Sequence, residues 1–88
     1  MLFVFDQKGL PIFWMKEMNF NLDFIWINDD KVVDITENAQ KPLQSDYSSP
    51  KELYQSRVEV DKVLEVNQGW VRENGVRVGD RVNFQFEI

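Results

Sequence analysis

Eighty-eight residues suffice for one hydrophobic core and not for two, so residues 1–88 are expected to form a single domain. An apolar share of 43 %, with seven Phe, three Trp and two Tyr, excludes a disordered chain. Ten Lys and Arg against fifteen Asp and Glu leave a formal charge of −5, the wrong sign for gripping a phosphate backbone, and the lack of both Cys and His removes disulfides, thiolate nucleophiles, zinc ribbons and imidazole bases.

Leu2 to Phe5 is a short apolar run closed by the turn-rich Asp6-Gln7-Lys8-Gly9, which predicts a first strand buried on both faces. Pro11, with no N–H to give a ladder, precedes Ile12-Phe13-Trp14-Met15-Lys16, the second predicted strand. Leu22 to Ile27 is the third, and Asn28-Asp29-Asp30-Lys31 supplies turn-tolerant side chains before a fourth at Val32-Val33-Asp34-Ile35, making a hairpin. Between Thr36 and Arg57 the apolar density falls and the longest loop is expected. Within it Ser49-Pro50-Lys51-Glu52 combines an N-cap, a first-position proline and a reaching glutamate, so one helical turn is predicted near Leu53 and Tyr54.

Alternation resumes at Val58, Val60, Leu64 and Val66. Lys62 falls on the inward parity, which predicts a β-bulge at Asp61-Lys62 in preference to a buried ammonium. Asn67 is placed to cap a short helix through Trp70, Val71 and Arg72, with Gly75 at its C-terminal end. Val82, Phe84, Phe86 and Ile88 alternate with polar residues as a last, half-exposed strand. The fold class is therefore mainly β, a small barrel-like or folded-sheet domain of about six strands with one or two short helices. No apolar stretch approaches the roughly 20 residues that cross a bilayer, and the opening MLFVFDQKG lacks the basic region and long apolar run of an export signal. No membrane span and, by default, a cytoplasmic location are expected of the chain as given.

A symmetric hairpin of strands two and three across Glu17 to Asn21 would oppose Lys16 to Asp23, Trp14 to Ile25 and Phe13 to Trp26. Phe13, Met15, Phe24 and Trp26 would then share one face, and Ile12, Trp14, Ile25 and Ile27 the other, together with Lys16 and Asp23. The Lys16/Asp23 pair is either an exposed cross-strand ion pair worth about 0–1 kcal/mol or the charged rim of a ligand cleft. Trp14 and Trp26 lie in dense apolar runs and read as core, whereas Trp70, beside Asn67 and Gly69, is open to stacking on the C–H face of a sugar. The carboxylates that could serve acid–base or metal chemistry are Asp23, Asp34, Glu65 and Asp80. Asp29, Asp30 and Asp34 miss the calcium-loop spacing and read as turn and surface residues, and Gly79-Asp80 reads as a turn.

Two blocks, FWMKEMNFNLDFIWI at 13–27 and VLEVNQGWVRENGVRVGDRV at 63–82, resemble the uncharacterised prokaryotic family known as domain of unknown function 192, and the opening MLFVF fits it too. Trp14, Met15, Lys16, Leu22 and Asp23 stand at the places of that family's first motif, and Leu64, Glu65, Val66, Gly69, Gly79 and Asp80 at those of its second. The resemblance implies a compact β-rich fold with short helices and no established activity. Many relatives look exported, which leaves an extracytoplasmic location open. Glu17-Met18 and Asn21 depart from the family's usual Asn-Thr and proline. The family's usual strand and helix before the first block are missing at Met1, which implies an uncovered N-terminal edge and self-association through it.

The leading expectation is a non-enzymatic binding or accessory domain in which Lys16, Asp23, Glu65, Asn67 and Trp70 converge on a small polar ligand such as a saccharide, with no cofactor and no metal. Two alternatives stand beside it. One is a carboxylate-dependent hydrolase using Asp23 and Glu65, and the other a protein-interaction module that adds a strand at an exposed edge.

Overall fold

The computed structural model describes residues 1–15, 18, 20–40 and 53–85. In chain order its elements are β1 (Leu2–Gly9), β2 (Phe13–Trp14), β3 (Leu22–Asn28), β4 (Lys31–Ala39), β5 (Leu53–Tyr54), β6 (Val60–Asn67) and α1 (Trp70–Glu73). The fold is mainly β. A four-stranded antiparallel sheet runs β1-β6-β3-β4, a two-stranded one pairs β2 with β5, and neither closes into a barrel.

Six consecutive residues, Leu22 to Ile27, are buried, as a strand covered on both faces requires. Leu22, Phe24 and Trp26 point into one apolar cluster with Met15, Ala39, Val60 and Val63. Ile25 and Ile27 point into a second, with Val32 and Val71. Phe24 and Trp26 are wholly enclosed, each contributing about 1.5–3 kcal/mol of apolar burial, and the indole Nε1–H of Trp26 donates to Thr36 Oγ1 at 3.0 Å.

The expected pairing of strands two and three does not occur. Both edges of β3 are taken, by β4 through the tight turn at Asp29 and by β6 from the far end of the chain. β2 pairs instead with β5, Phe13 opposite Tyr54 and Trp14 opposite Leu53, in a ribbon laid over the first cluster. Phe13 therefore meets Trp26 across the sheets, with ring centroids 5.7 Å apart, and not along a ladder. The grouping of Phe13, Met15, Phe24 and Trp26 holds for that reason, while Trp14 lies outside the core at 42 % exposure.

β1 is longer than expected and is an edge strand: Asp6-Gln7-Lys8-Gly9 continues it, and Val4 is 63 % exposed. Its register on β6 shifts between the pairs Val4–Lys62 and Gly9–Val60, so the irregularity falls across Asp61-Lys62 as expected, with the extra residues on β1; Val60 and Val63, three apart, accordingly share one cluster. Lys62 keeps its place against Ile27 and carries its ammonium to the rim. There it donates to the Asp29 carbonyl at 2.9 Å and to Asp61 Oδ1 at 3.3 Å, and lies 5.3 Å from the Phe84 ring centre. The predicted helical turn near Leu53 and Tyr54 is a strand, because Phe13 and Trp14 offer it a ladder; Ser49-Pro50-Lys51-Glu52 lies outside the described residues. β4 runs on to Ala39 where a loop was expected. The last strand is reduced, within the described residues, to one bridge between Arg81 and Lys31, although burial still alternates from Val82 to Gln85; Phe86 and Ile88 lie outside them.

A four-residue helix cannot stand alone, and α1 docks by burying Val71 in the second cluster. Its C-terminus is closed as the glycine predicts: Gly75 has φ 62, Val76 N–H donates to the Val71 carbonyl at 3.0 Å and Gly75 N–H to that of Arg72 at 3.2 Å. The Gly79-Asp80 turn forms as expected, with Gly79 at φ 100 and Asp80 Oδ2 accepting from Arg77 N–H at 2.8 Å.

Candidate functional site

Asp23 is buried where three pieces of backbone meet. One extra residue on β4, between the partners of Leu22 and Phe24, makes a bulge that holds Asn38 at φ 58, and its N–H donates to Asp23 Oδ1 at 2.8 Å. Oδ2 accepts from Gly69 N–H at 3.1 Å and Val71 N–H at 3.2 Å. Asp23 thus caps α1 from a neighbouring strand, a task expected of Asn67. Gly69, the residue before the helix, supplies no side chain but adopts φ 91 to turn the chain toward that carboxylate.

Glu65 stands opposite Phe24 on β6, hence on the first cluster's side of the sheet, whereas Asp23 stands opposite Val66 on the second's. The two carboxylates lie on different faces. Burial pushes the Glu65 carboxyl above its ordinary range, partly offset by the nearby amino terminus. Asn67 ends β6 and is exposed, and Trp70 opens α1 at 39 % exposure. Lys16 lies outside the described residues.

Asn67 and Trp70 line different concavities. A groove of about 440 Å³ is bounded by Phe20, Asn21, Asn67 and Gln68. Its two walls are tied by Gln68 N–H donating to the Asn21 carbonyl at 3.3 Å, and the Asn21 Nδ2 amide donates to Asn38 Oδ1 at 3.1 Å. Trp70 borders a cleft of about 240 Å³ floored by Ile25, Ile27, Val32 and Leu64. Among the described residues, no group of three or more acidic side chains is placed to hold a metal ion.

Asp34, expected at the surface, is buried with its side chain 5 % exposed. The extra residue Val33 bulges β4 beside it, between the partners of Trp26 and Ile27. Arg57 forks onto it, Nη2 to Oδ1 at 2.8 Å and Nε to Oδ2 at 3.3 Å, while Arg57 N–H and Ile35 N–H each donate to it at 2.9 Å. Burial alone would raise the Asp34 carboxyl, but these hydrogen bonds and the guanidinium charge outweigh it and hold the group below the usual aspartate range. Arg57 is not among the residues singled out from the sequence. Nothing in its neighbours Ser56 and Val58 marks it, since its partner lies 23 positions earlier.

The family model DUF192, described as uncharacterized, matches residues 1–84. Among curated proteins none matches the chain. Two solved structures share its fold. One is described as a "putative transcription regulator" from Sinorhizobium meliloti, 35 % identical with a TM-score of 0.79, covering 92 % of this chain and 58 % of its own. The other is a protein of unknown function from Novosphingobium aromaticivorans, 27 % identical with a TM-score of 0.80, covering 96 % of this chain and 56 % of its own. The chain thus spans less than two thirds of either.

Proposed function

Since the chain belongs to the DUF192 family, whose description assigns no activity, we propose from its own geometry that it is a non-enzymatic binding or accessory domain for a small polar ligand, with a neutral saccharide as the class. The observation that carries this reading is the groove of Phe20, Asn21, Asn67 and Gln68. The carboxamides of Asn67 and Gln68 offer both donors and acceptors to ring hydroxyls, and the exposed Phe20 ring offers a flat apolar face. Asn67 is the member anticipated from the sequence. Trp70, two residues after Gln68, borders the neighbouring cleft and is not part of this groove. Asp23 serves the reading indirectly, by fixing the connection that carries Asn67 and Gln68. With Asp23 engaged by three backbone N–H groups and Glu65 on the opposite face, a hydrolytic pair has no common cleft. A net charge of −5 favours a neutral ligand over nucleic acid.

Calorimetric titration with a panel of neutral mono- and disaccharides tests the proposal. Saturable binding with Kd of about 1 mM, lost in an Asn67→Ala/Gln68→Ala variant that keeps its melting temperature, is the expected result. Silence across the panel contradicts it.

A second reading rests on the open sheet. Among the described residues β1 pairs on one side only, with β6, and lies at the sheet edge, regular over Leu2 to Val4 before its register shifts. Such an edge accepts a further strand, and a second copy of this chain is the partner proposed. Sedimentation at high micromolar concentration should then show a dimer, and a monomer there rejects this reading.

A further inference from the structure

Three of the chain's four arginines line one groove in an otherwise acidic molecule. Arg57, Arg72 and Arg77 border a concavity of about 360 Å³ between β4, α1 and the loop after α1. Arg57 is pinned by Asp34 through Nε and Nη2, yet its side chain remains 84 % exposed, so the rest of the guanidinium faces solvent in a fixed orientation. Arg72 and Arg77 have no side-chain partner among the described residues. The groove's carboxylates are Asp34, already neutralised by Arg57, and Glu37. Its remaining lining is apolar: Ile35, Val71, Val76 and Val78.

We infer that this groove binds a phosphate monoester of an apolar alcohol, independently of the carboxamide groove. A carboxylate's two oxygens are satisfied by a single guanidinium fork. Three guanidinium groups about one concavity offer donors to the three terminal oxygens of a phosphate monoester, and the charges of Arg72 and Arg77, left over once Arg57 neutralises Asp34, face its double charge. The valine and isoleucine wall takes the apolar body, and the volume lies within the range of small-molecule sites. Glu37 sets a limit, since it repels a ligand whose charge extends toward β4.

Amide-resolved NMR titration at constant ionic strength, with phenyl phosphate, inorganic phosphate and benzoate as probes, tests the inference. Phenyl phosphate should shift the amides of Arg72, Gly75, Val76 and Arg77 and bind about tenfold more tightly than either other probe. Arg72→Gln and Arg77→Gln, both at exposed positions, should each weaken it about tenfold while leaving the melting temperature unchanged. Equal response to inorganic phosphate would overturn the apolar body, and equal response to benzoate the phosphate. No shift at these amides, or shifts unaltered in both variants, would overturn the site.

Discussion

Truncating Asp23 leaves three backbone N–H groups without an acceptor, two of them at the start of α1 and one in the β4 bulge. Asp23→Ala should lower stability by about 2–4 kcal/mol in urea denaturation, far more than loss of an exposed ion pair. A change below about 1 kcal/mol would show that water replaces the carboxylate. Glu65 and Asp34 respond to pH in opposite senses. The folded pKa of Glu65 is raised, so its contribution is full below the ordinary glutamate value of about 4.3 and is lost as pH rises through the folded value. Glu65→Gln should therefore be more stable than the parent at pH 7, with the gap closing toward pH 4. The folded pKa of Asp34 is lowered, so its contribution is present above the ordinary value of about 3.9 and is lost as pH falls through the folded one. Thermal melts between pH 2 and 5 should show a steeper acid-side loss in the parent than in Asp34→Asn. Of these three carboxylates the sequence makes the identity visible and the role not: each is defined by partners distant along the chain, as Asp23 is by residues 46 and 48 positions away.

Among the elements, those set by short-range chemistry are legible in advance. The β3–β4 turn follows from Asn28-Asp29-Asp30-Lys31, with Asp29 at φ 57, and the end of α1 follows from Gly75 at φ 62. Gly75→Ala must hold a Cβ in that left-handed conformation and should cost about 1 kcal/mol in chemical denaturation; nothing lies near enough for a clash to add to it. A loss above about 3 kcal/mol would mean that the helix end is under a further constraint. The β2 and β5 elements are not legible, because two-residue strands carry no periodicity. Trp14 looks like core from its apolar neighbours, yet it falls on the outer side of a two-stranded ribbon. The edge position of β1 is not legible for a similar reason: an unbroken apolar run fits a central strand, and its actual place depends on β3 taking the other side of β6.

At the scale of the molecule, the central sheet separates two apolar clusters, and the arginine groove lies on the α1 side. This division explains why Asp23, Glu65, Asn67 and Trp70 do not share a cleft. Asp23 and Glu65 alternate to opposite faces, and Asn67 and Trp70 diverge over a single turn of backbone. Protection against hydrogen exchange should be greatest in β3, which has a partner on both sides and cover on both faces, and least in β1 beyond Val4. The most direct test of the binding reading is an amide-resolved NMR titration with a neutral disaccharide. Binding in the carboxamide groove predicts saturable shifts confined to Phe20, Asn21, Asn67, Gln68 and the adjoining first turn of α1; shifts centred elsewhere, or none, would contradict it.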